Sequence, residues 1–140
     1  MDKWDRAHML SAENYARLSS ARRLQVGCVI VRDHRIISIG YNGMPRGWDN
    51  NCEQLQADGT LQTRPEVLHA EANALAKLAA SSESSSAATA YITHAPCMDC
   101  AKLLAMSQIA RVVYRNSYRS SSGLDFLARS GIQIEHATDL

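Results

Sequence analysis

The sequence predicts an α/β fold: a three-layer α-β-α sandwich on a mixed five-stranded sheet that opens with an N-terminal hairpin. Three observations carry this prediction. Two β-branched runs, at 26–31 and 36–41, are separated only by a short polar Arg-Asp-His-Arg stretch, as hairpin strands are. From residue 66 onward, helix-forming and strand-forming segments alternate, which places helices against both faces of a sheet. With 46% hydrophobic and 21% charged residues in 140, the chain can fill one core and is too apolar to be disordered.

Taken in order, residues 3–20 predict a helix, with Trp4, His8, Ala12, Tyr15, Ala16 and Leu18 forming a rough stripe. The hairpin 26–31/36–41 follows. Residues 43–65, rich in Gly, Asn, Gln and Asp, predict a long loop, and so long a loop in a small domain is usually functional or mobile. Residues 66–80 contain strong helix formers, and the Ser-rich stretch 81–86 ends that pattern as a surface linker. A strand at 89–94, a helix at 97–107 and a strand at 109–114 come next. A helix at 123–130 closed by Gly131 and a short strand at 132–135 complete the set. Residues 1–140 show no internal repeat and predict a single domain.

Charge narrows the function. Fifteen Lys and Arg against fourteen Asp and Glu leave a net charge of +1, which disfavours a protein living on duplex nucleic acid. Twelve of the basic residues are Arg, whose planar fork suits a phosphate or carboxylate. No apolar stretch has membrane-span length, so no membrane role is expected. The N-terminus lacks a signal-peptide pattern, and the expectation is a cytoplasmic chain with reduced thiols.

Two motifs carry chemistry: His69-Ala-Glu71 and Pro96-Cys97-Met-Asp-Cys100, each near the start of a predicted helix. Cysteines three apart in a first turn share one face, and the helix N-terminus favours their thiolates. An isolated Cys-x-x-Cys is equally compatible with a metal site, a redox site or no function, and His-Ala-Glu in an alanine-rich helix is ordinary. Together, one imidazole and two thiolates supply three tetrahedral positions for zinc, the arrangement that leaves a position open for catalysis. Glu71 is placed to move protons at the edge of such a site. His-x-Glu followed by Pro-Cys-x-x-Cys is the signature of zinc deaminases.

The segments Arg23-Leu-Gln-Val-Gly27, Gly40-Tyr-Asn-Gly-Met-Pro45, His69-Ala-Glu-Ala-Asn-Ala74 and Pro96-Cys-Met-Asp-Cys-Ala-Lys102 widen the match. With them, residues 22–48 and 66–118 resemble the deoxycytidylate (dCMP) deaminase family of the cytidine deaminase-like superfamily. The resemblance implies hydrolysis of dCMP to dUMP and ammonia by a zinc-activated hydroxide, feeding thymidylate synthesis. It implies one catalytic Zn²⁺ per chain on His69, Cys97 and Cys100, with Glu71 as proton shuttle. Asn42 and the Ala70 backbone are the expected readers of sugar and base. Asn42-Gly43 is equally readable as a plain turn. For the 5′-phosphate the favoured candidates are Ser20, Arg23, Arg115 and Tyr118; Arg119 follows the same strand, and Arg22, Arg111 and Arg119 are as readily solvated as engaged. Such enzymes are commonly homohexamers, activated by dCTP with Mg²⁺ and inhibited by dTTP. Gly40, Tyr41, Asn42, Gly43 and Arg46 become candidates for that effector site.

Cys28 is expected as a core residue, Cys52 as a bystander and His94 as a strand-end residue or a support behind the site. Two rivals remain. One is another zinc deaminase, acting on tRNA adenosine or free cytidine; Ala95 before Pro96 and the low charge fit it less well. The other is a non-catalytic zinc-stabilised binding module, which needs a fourth ligand from Cys28, Cys52 or His94.

Overall fold

The structure, a computed structural model, describes residues 1–138. Helix α1 (Lys3–Ala16) starts at Asp2, whose carboxylate accepts a hydrogen bond from the Asp5 N–H at 2.8 Å, an N-cap satisfying an otherwise unpaired donor. The helix ends four residues earlier than the sequence suggests. Its last carbonyls are taken up by turn bonds, and the Ser19 hydroxyl instead donates to the distant Asn42 carbonyl at 2.7 Å.

Strands β1 (Gly27–Arg32) and β2 (Arg35–Tyr41) form the expected hairpin. Its two-residue turn, Asp33-His34, has positive φ at both positions (53° and 61°), the conformation that matches strand twist. Segment 43–65, expected to be a loop, contains a second hairpin: β3 (Glu53–Leu55) and β4 (Leu61–Thr63) pair with each other as a separate two-stranded sheet.

Helix α2 (Ala70–Ala79) begins later than expected because Leu68 exchanges backbone hydrogen bonds with Gly43 and is held extended. Strand β5 (Thr89–His94), helix α3 (Met98–Met106), strand β6 (Arg111–Asn116), helix α4 (Ser122–Arg129) and strand β7 (Gln133–His136) follow. The main sheet has the order β2-β1-β5-β6-β7, antiparallel at β2-β1-β5 and parallel from β5 to β7. The expected three-layer sandwich with a mixed five-stranded sheet is thus observed.

Strand alternation sorts the core into two layers. Cys28, Ile30, Ala90, Ile92 and Val112 pack against Ala70, Ala74 and Leu78 of α2, Ala101 and Leu104 of α3, and Leu127 of α4. Val29, Val31, Tyr91 and Val113 face Met9 and Ala12 of α1 on the other side. At this second layer the buried Asp5 receives the Tyr91 hydroxyl at 2.6 Å and both terminal nitrogens of Arg111 at 2.8 Å. Arg111 also reaches Glu135 at 2.6 Å.

Small residues let α2 approach the sheet at backbone distance. A Cβ on Gly40 of β2 would lie 2.2 Å from the Ala70 carbonyl oxygen and 2.6 Å from the Ala74 nitrogen, so this position admits only glycine. The carboxyl ends of β2 and β5, and the start of antiparallel β1, therefore meet the first turns of α2 and α3 at one end of the sheet.

Candidate active site

His69 and Cys97 are the N-cap residues of α2 and α3. Both have extended backbones (φ −73° and −70°), and neither side chain caps its helix. The two side chains turn toward each other instead. His69 Nδ1 lies 3.6 Å from Cys97 Sγ and 3.3 Å from Cys100 Sγ, and the three donor atoms all lie within 4.8 Å of one another. Tetrahedral zinc held by one imidazole and two thiolates calls for N···S separations of about 3.5 Å, so this donor set fits the ion in both chemistry and spacing.

Electrostatics prepare these groups. Hydrogen bonds from Cys100 and His69 hold the Cys97 thiol down at about 4, against the opposing effect of burial. Cys100, donating to Cys97 and buried, is pushed up, while the Cys97 sulfur raises His69. Cys97 also stands at a helix N-terminus, which favours a thiolate there. Glu71, in the first turn of α2, is only 4% exposed, and burial pushes its carboxyl up to about 7. A carboxyl at that value both accepts and returns a proton near neutral pH.

A cavity of about 310 Å³ opens onto these residues. The α2 and α3 starts contribute His69, Ala70, Glu71 and Cys97, and the sheet end contributes Val26, Asn42, His94 and Ala95. The second hairpin and its flanks add Cys52, Glu53, Thr63 and Val67; Ala21, Arg23, Leu24, Tyr118 and Arg119 complete the lining.

Of the residues singled out in the sequence, His69, Ala70, Glu71, Cys97, Asn42, Arg23 and Tyr118 converge on this cavity, with Cys100 behind it. Two phosphate candidates do not. Arg115 is a strand residue whose guanidinium pairs with Glu13 of α1 at 2.7 Å, and Ser20 is exposed outside the lining. Arg119, left open by the sequence, lies in the cavity wall. Arg22 pairs with Glu53, and Arg111 with Asp5 and Glu135.

Asn42 does double duty. Its Oδ1 accepts from Val26 N–H and its Nδ2 donates to the Leu24 carbonyl, both at 2.8 Å, which pins the entry to β1 against the exit of β2. One N–H and one lone pair remain for the cavity. Among the other effector candidates, Gly40 is sealed under α2, and the Tyr41 carbonyl accepts from Asn73 while its ring lies under Lys77 Nζ. Gly43 is bridged to Leu68, and Arg46 is exposed. A second hollow of about 360 Å³ adjoins this segment, lined by Met44, Trp48, Asp49, Asn51, Arg64 and Glu66.

Sequence reasoning missed Glu53. Its carboxylate is 1% exposed and accepts from the backbone N–H groups of Arg22 and Arg23 at 2.8 and 3.0 Å, and from Arg22 Nε at 3.3 Å. Burial raises its pKa, but these donors outweigh it and hold the carboxyl below its ordinary value. Arg23 further donates to the Thr63 hydroxyl at 3.0 Å, so the second hairpin is tied to the cavity edge at two points. No local pattern in a polar loop marks such a residue.

The family model for the cytidine and deoxycytidylate deaminase zinc-binding region matches residues 2–116. The chain belongs to the cytidine and deoxycytidylate deaminase family. Deoxycytidylate deaminase of Mycobacterium phage D29 is 38% identical over 122 residues, covering 79% of this chain and 93% of that protein. Deoxycytidylate deaminase of Schizosaccharomyces pombe is 34% identical over 94% of this chain, which spans only 43% of that longer relative. Among solved structures, dCMP deaminase of cyanophage S-TIM5, in complex with dCMP and dUMP, superposes with a TM-score of 0.90. It is 40% identical, with 98% of this chain and 99% of that chain covered. Among the described residues, His69, Cys97 and Cys100 form the one group of donors that could hold a metal ion. Cys28 lies in the core and Cys52 contacts the Asn50 carbonyl, so neither joins the set as the fourth ligand a purely structural site needs. No described helix is long and apolar enough to cross a membrane.

Proposed function

We propose that the protein catalyses hydrolytic deamination of dCMP to dUMP with release of ammonia. One observation carries this reading: a His-Cys-Cys donor set and a buried carboxyl lie in the same cavity as Arg23, Tyr118 and Arg119. The likeness to the cyanophage enzyme solved with dCMP and dUMP supports it.

In this reading His69 Nδ1 and the sulfurs of Cys97 and Cys100 hold Zn²⁺. The ion supplies Lewis acidity that makes water nucleophilic near neutral pH. Glu71 takes the proton that the attacking water releases at cytosine C4 and delivers it to N3. It then carries the remaining proton of that oxygen to the amino nitrogen; the C4–N bond breaks, leaving a C4 carbonyl and ammonia. The Ala70 backbone reads the pyrimidine, and the free N–H of Asn42 addresses the sugar. Arg23, Arg119 and the Tyr118 hydroxyl receive the 5′-phosphate, for which a guanidinium fork is suited.

Regulation by dCTP with Mg²⁺ and by dTTP belongs to the same proposal, as does assembly into a homohexamer. The hollow beside Gly43 supports an effector site, with Trp48 to stack a base, Arg64 for phosphate and Asp49 and Glu66 near a cation.

Turnover of dCMP, CMP, dCTP and deoxycytidine, each with and without dCTP-Mg²⁺ or dTTP, tests the substrate and the regulation. Light scattering reads the assembly. Preference for deoxycytidine over dCMP would overturn the phosphate assignment. A Glu71→Gln variant is expected to keep its zinc and fold and to lose turnover by about 10²–10⁴-fold. Normal turnover in that variant would overturn the proton-shuttle role and favour a binding module.

A further inference from the structure

His94 stands at the carboxyl end of β5, paired in register with Asn116 of β6, two residues before Tyr118. It lines the cavity together with Ala95 and Cys97 and is half-buried. Its Nδ1 lies 2.9 Å from the hydroxyl of Thr93, which is 3% exposed. That hydroxyl already accepts the Gly27 N–H at 3.1 Å, and the Thr93 carbonyl is held by Asn116 Nδ2 at 2.7 Å.

Proton counting fixes the tautomer. The Thr93 hydroxyl owns one hydrogen, and His94 Nδ1 is its one acceptor among the described residues. If the imidazole donated instead, a buried hydroxyl hydrogen would lack any acceptor, at a cost that folded proteins avoid. The hydroxyl therefore donates to Nδ1, and the ring proton sits on Nε2. Nε2 has no hydrogen-bond partner among the described residues, on a ring that lines the cavity. Burial lowers the ring's pKa against the opposing pull of Glu13, which favours the neutral form.

We propose that His94 is a substrate-contacting specificity residue whose Nε2–H donates a hydrogen bond to an oxygen of the bound nucleotide, with Thr93 and Gly27 fixing its tautomer and aim. The inference rests on the dCMP deaminase reading and adds a donor to it. Base and phosphate oxygens share the acceptor chemistry; the comparison of substrates below separates them.

The test compares His94→Gln, His94→Asn and His94→Leu on dCMP and deoxycytidine, with zinc content and Tm measured for each. The Gln amide nitrogen falls where Nε2 was, whereas the Asn amide reaches only the Nδ1 position. Loss of one hydrogen bond is expected to raise KM about three- to tenfold in the Asn and Leu variants. Their kcat should stay within about twofold, and the Gln variant should remain near wild type. An equal rise for both substrates assigns the acceptor to base or sugar; a rise confined to dCMP assigns it to the phosphate. Equal impairment of the Gln and Leu variants, or unchanged KM in all three, overturns the proposal. Calorimetric binding of dUMP gives the same comparison without turnover. Failure of the wild-type protein to deaminate any cytosine nucleotide would overturn the deaminase reading itself, while lost dUMP discrimination among the variants would overturn His94 alone.

Discussion

Replacing Asp5 by Asn should cost about 3 kcal/mol at neutral pH, and the cost should shrink in acid. The carboxylate is 7% exposed, takes a two-pronged bond from Arg111 and a third from the Tyr91 hydroxyl. The Arg111 hydrogen bond is the largest influence on it; burial opposes and Tyr91 reinforces, and the carboxyl falls from 3.8 to about 2. The folded value is depressed, so the stabilisation is complete above the unfolded value and disappears as pH falls through the folded one. A shift of this size corresponds to about 2 kcal/mol at pH 7, of which roughly half is gone by pH 3. Asn preserves the shape but sets an N–H₂ against a guanidinium and leaves Arg111 with Glu135 alone. Urea unfolding followed by Trp4 and Trp48 fluorescence at pH 7, 5 and 3 measures the gap between the two proteins, and the difference cancels general acid effects. The gap should be about 3 kcal/mol at pH 7 and about 1 kcal/mol smaller at pH 3. A gap independent of pH, or below about 0.5 kcal/mol throughout, would refute the charge-based account.

Gly40→Ala drives a methyl into the backbone of α2 and displaces the helix that carries His69 and Glu71. Melting curves and dCMP turnover should show about 1–3 kcal/mol of destabilisation and a loss of activity that Ser38→Ala does not reproduce. Glu53→Ala leaves the Arg22 and Arg23 N–H groups without an acceptor; about 2–3 kcal/mol is expected by denaturation, with hydrogen exchange rising first at 51–63. Arg115→Ala breaks a half-exposed pair with Glu13 and should cost under about 1 kcal/mol without changing KM, whereas Arg119→Ala should raise KM for dCMP with stability intact.

The two chemical motifs and the main sheet were legible because each rests on local patterning. The β-branched runs specify strands. His69 and Cys97 each sit where an extended segment turns into a helix, and the sheet brings those two turns together. The second hairpin was not legible: its strands have three residues each and mostly exposed side chains, so no alternation marks them. Arg115 was misplaced for a geometric reason. Strand β6 runs to Asn116, and alternation from Val113 carries Arg115 to the α1 face, where Glu13 waits. Arg119, beyond the strand, is free of that constraint and reaches the cavity. The role of Glu53 depends on contacts thirty residues away, which no local pattern reveals.

The β3–β4 hairpin supplies part of the cavity wall yet shares no ladder with the sheet that positions the donor set. Its attachments are a few side-chain bonds, chiefly Glu53 to the Arg22–Arg23 backbone and Arg23 to Thr63. The hairpin can therefore shift relative to the main sheet by giving up a few side-chain bonds, without breaking a ladder hydrogen bond. Substitutions within the hairpin, from 53 to 63, thus leave the ladders that position the donor set intact. For protein engineering, this hairpin is the natural segment to graft between relatives, with the acid at position 53 kept as its anchor.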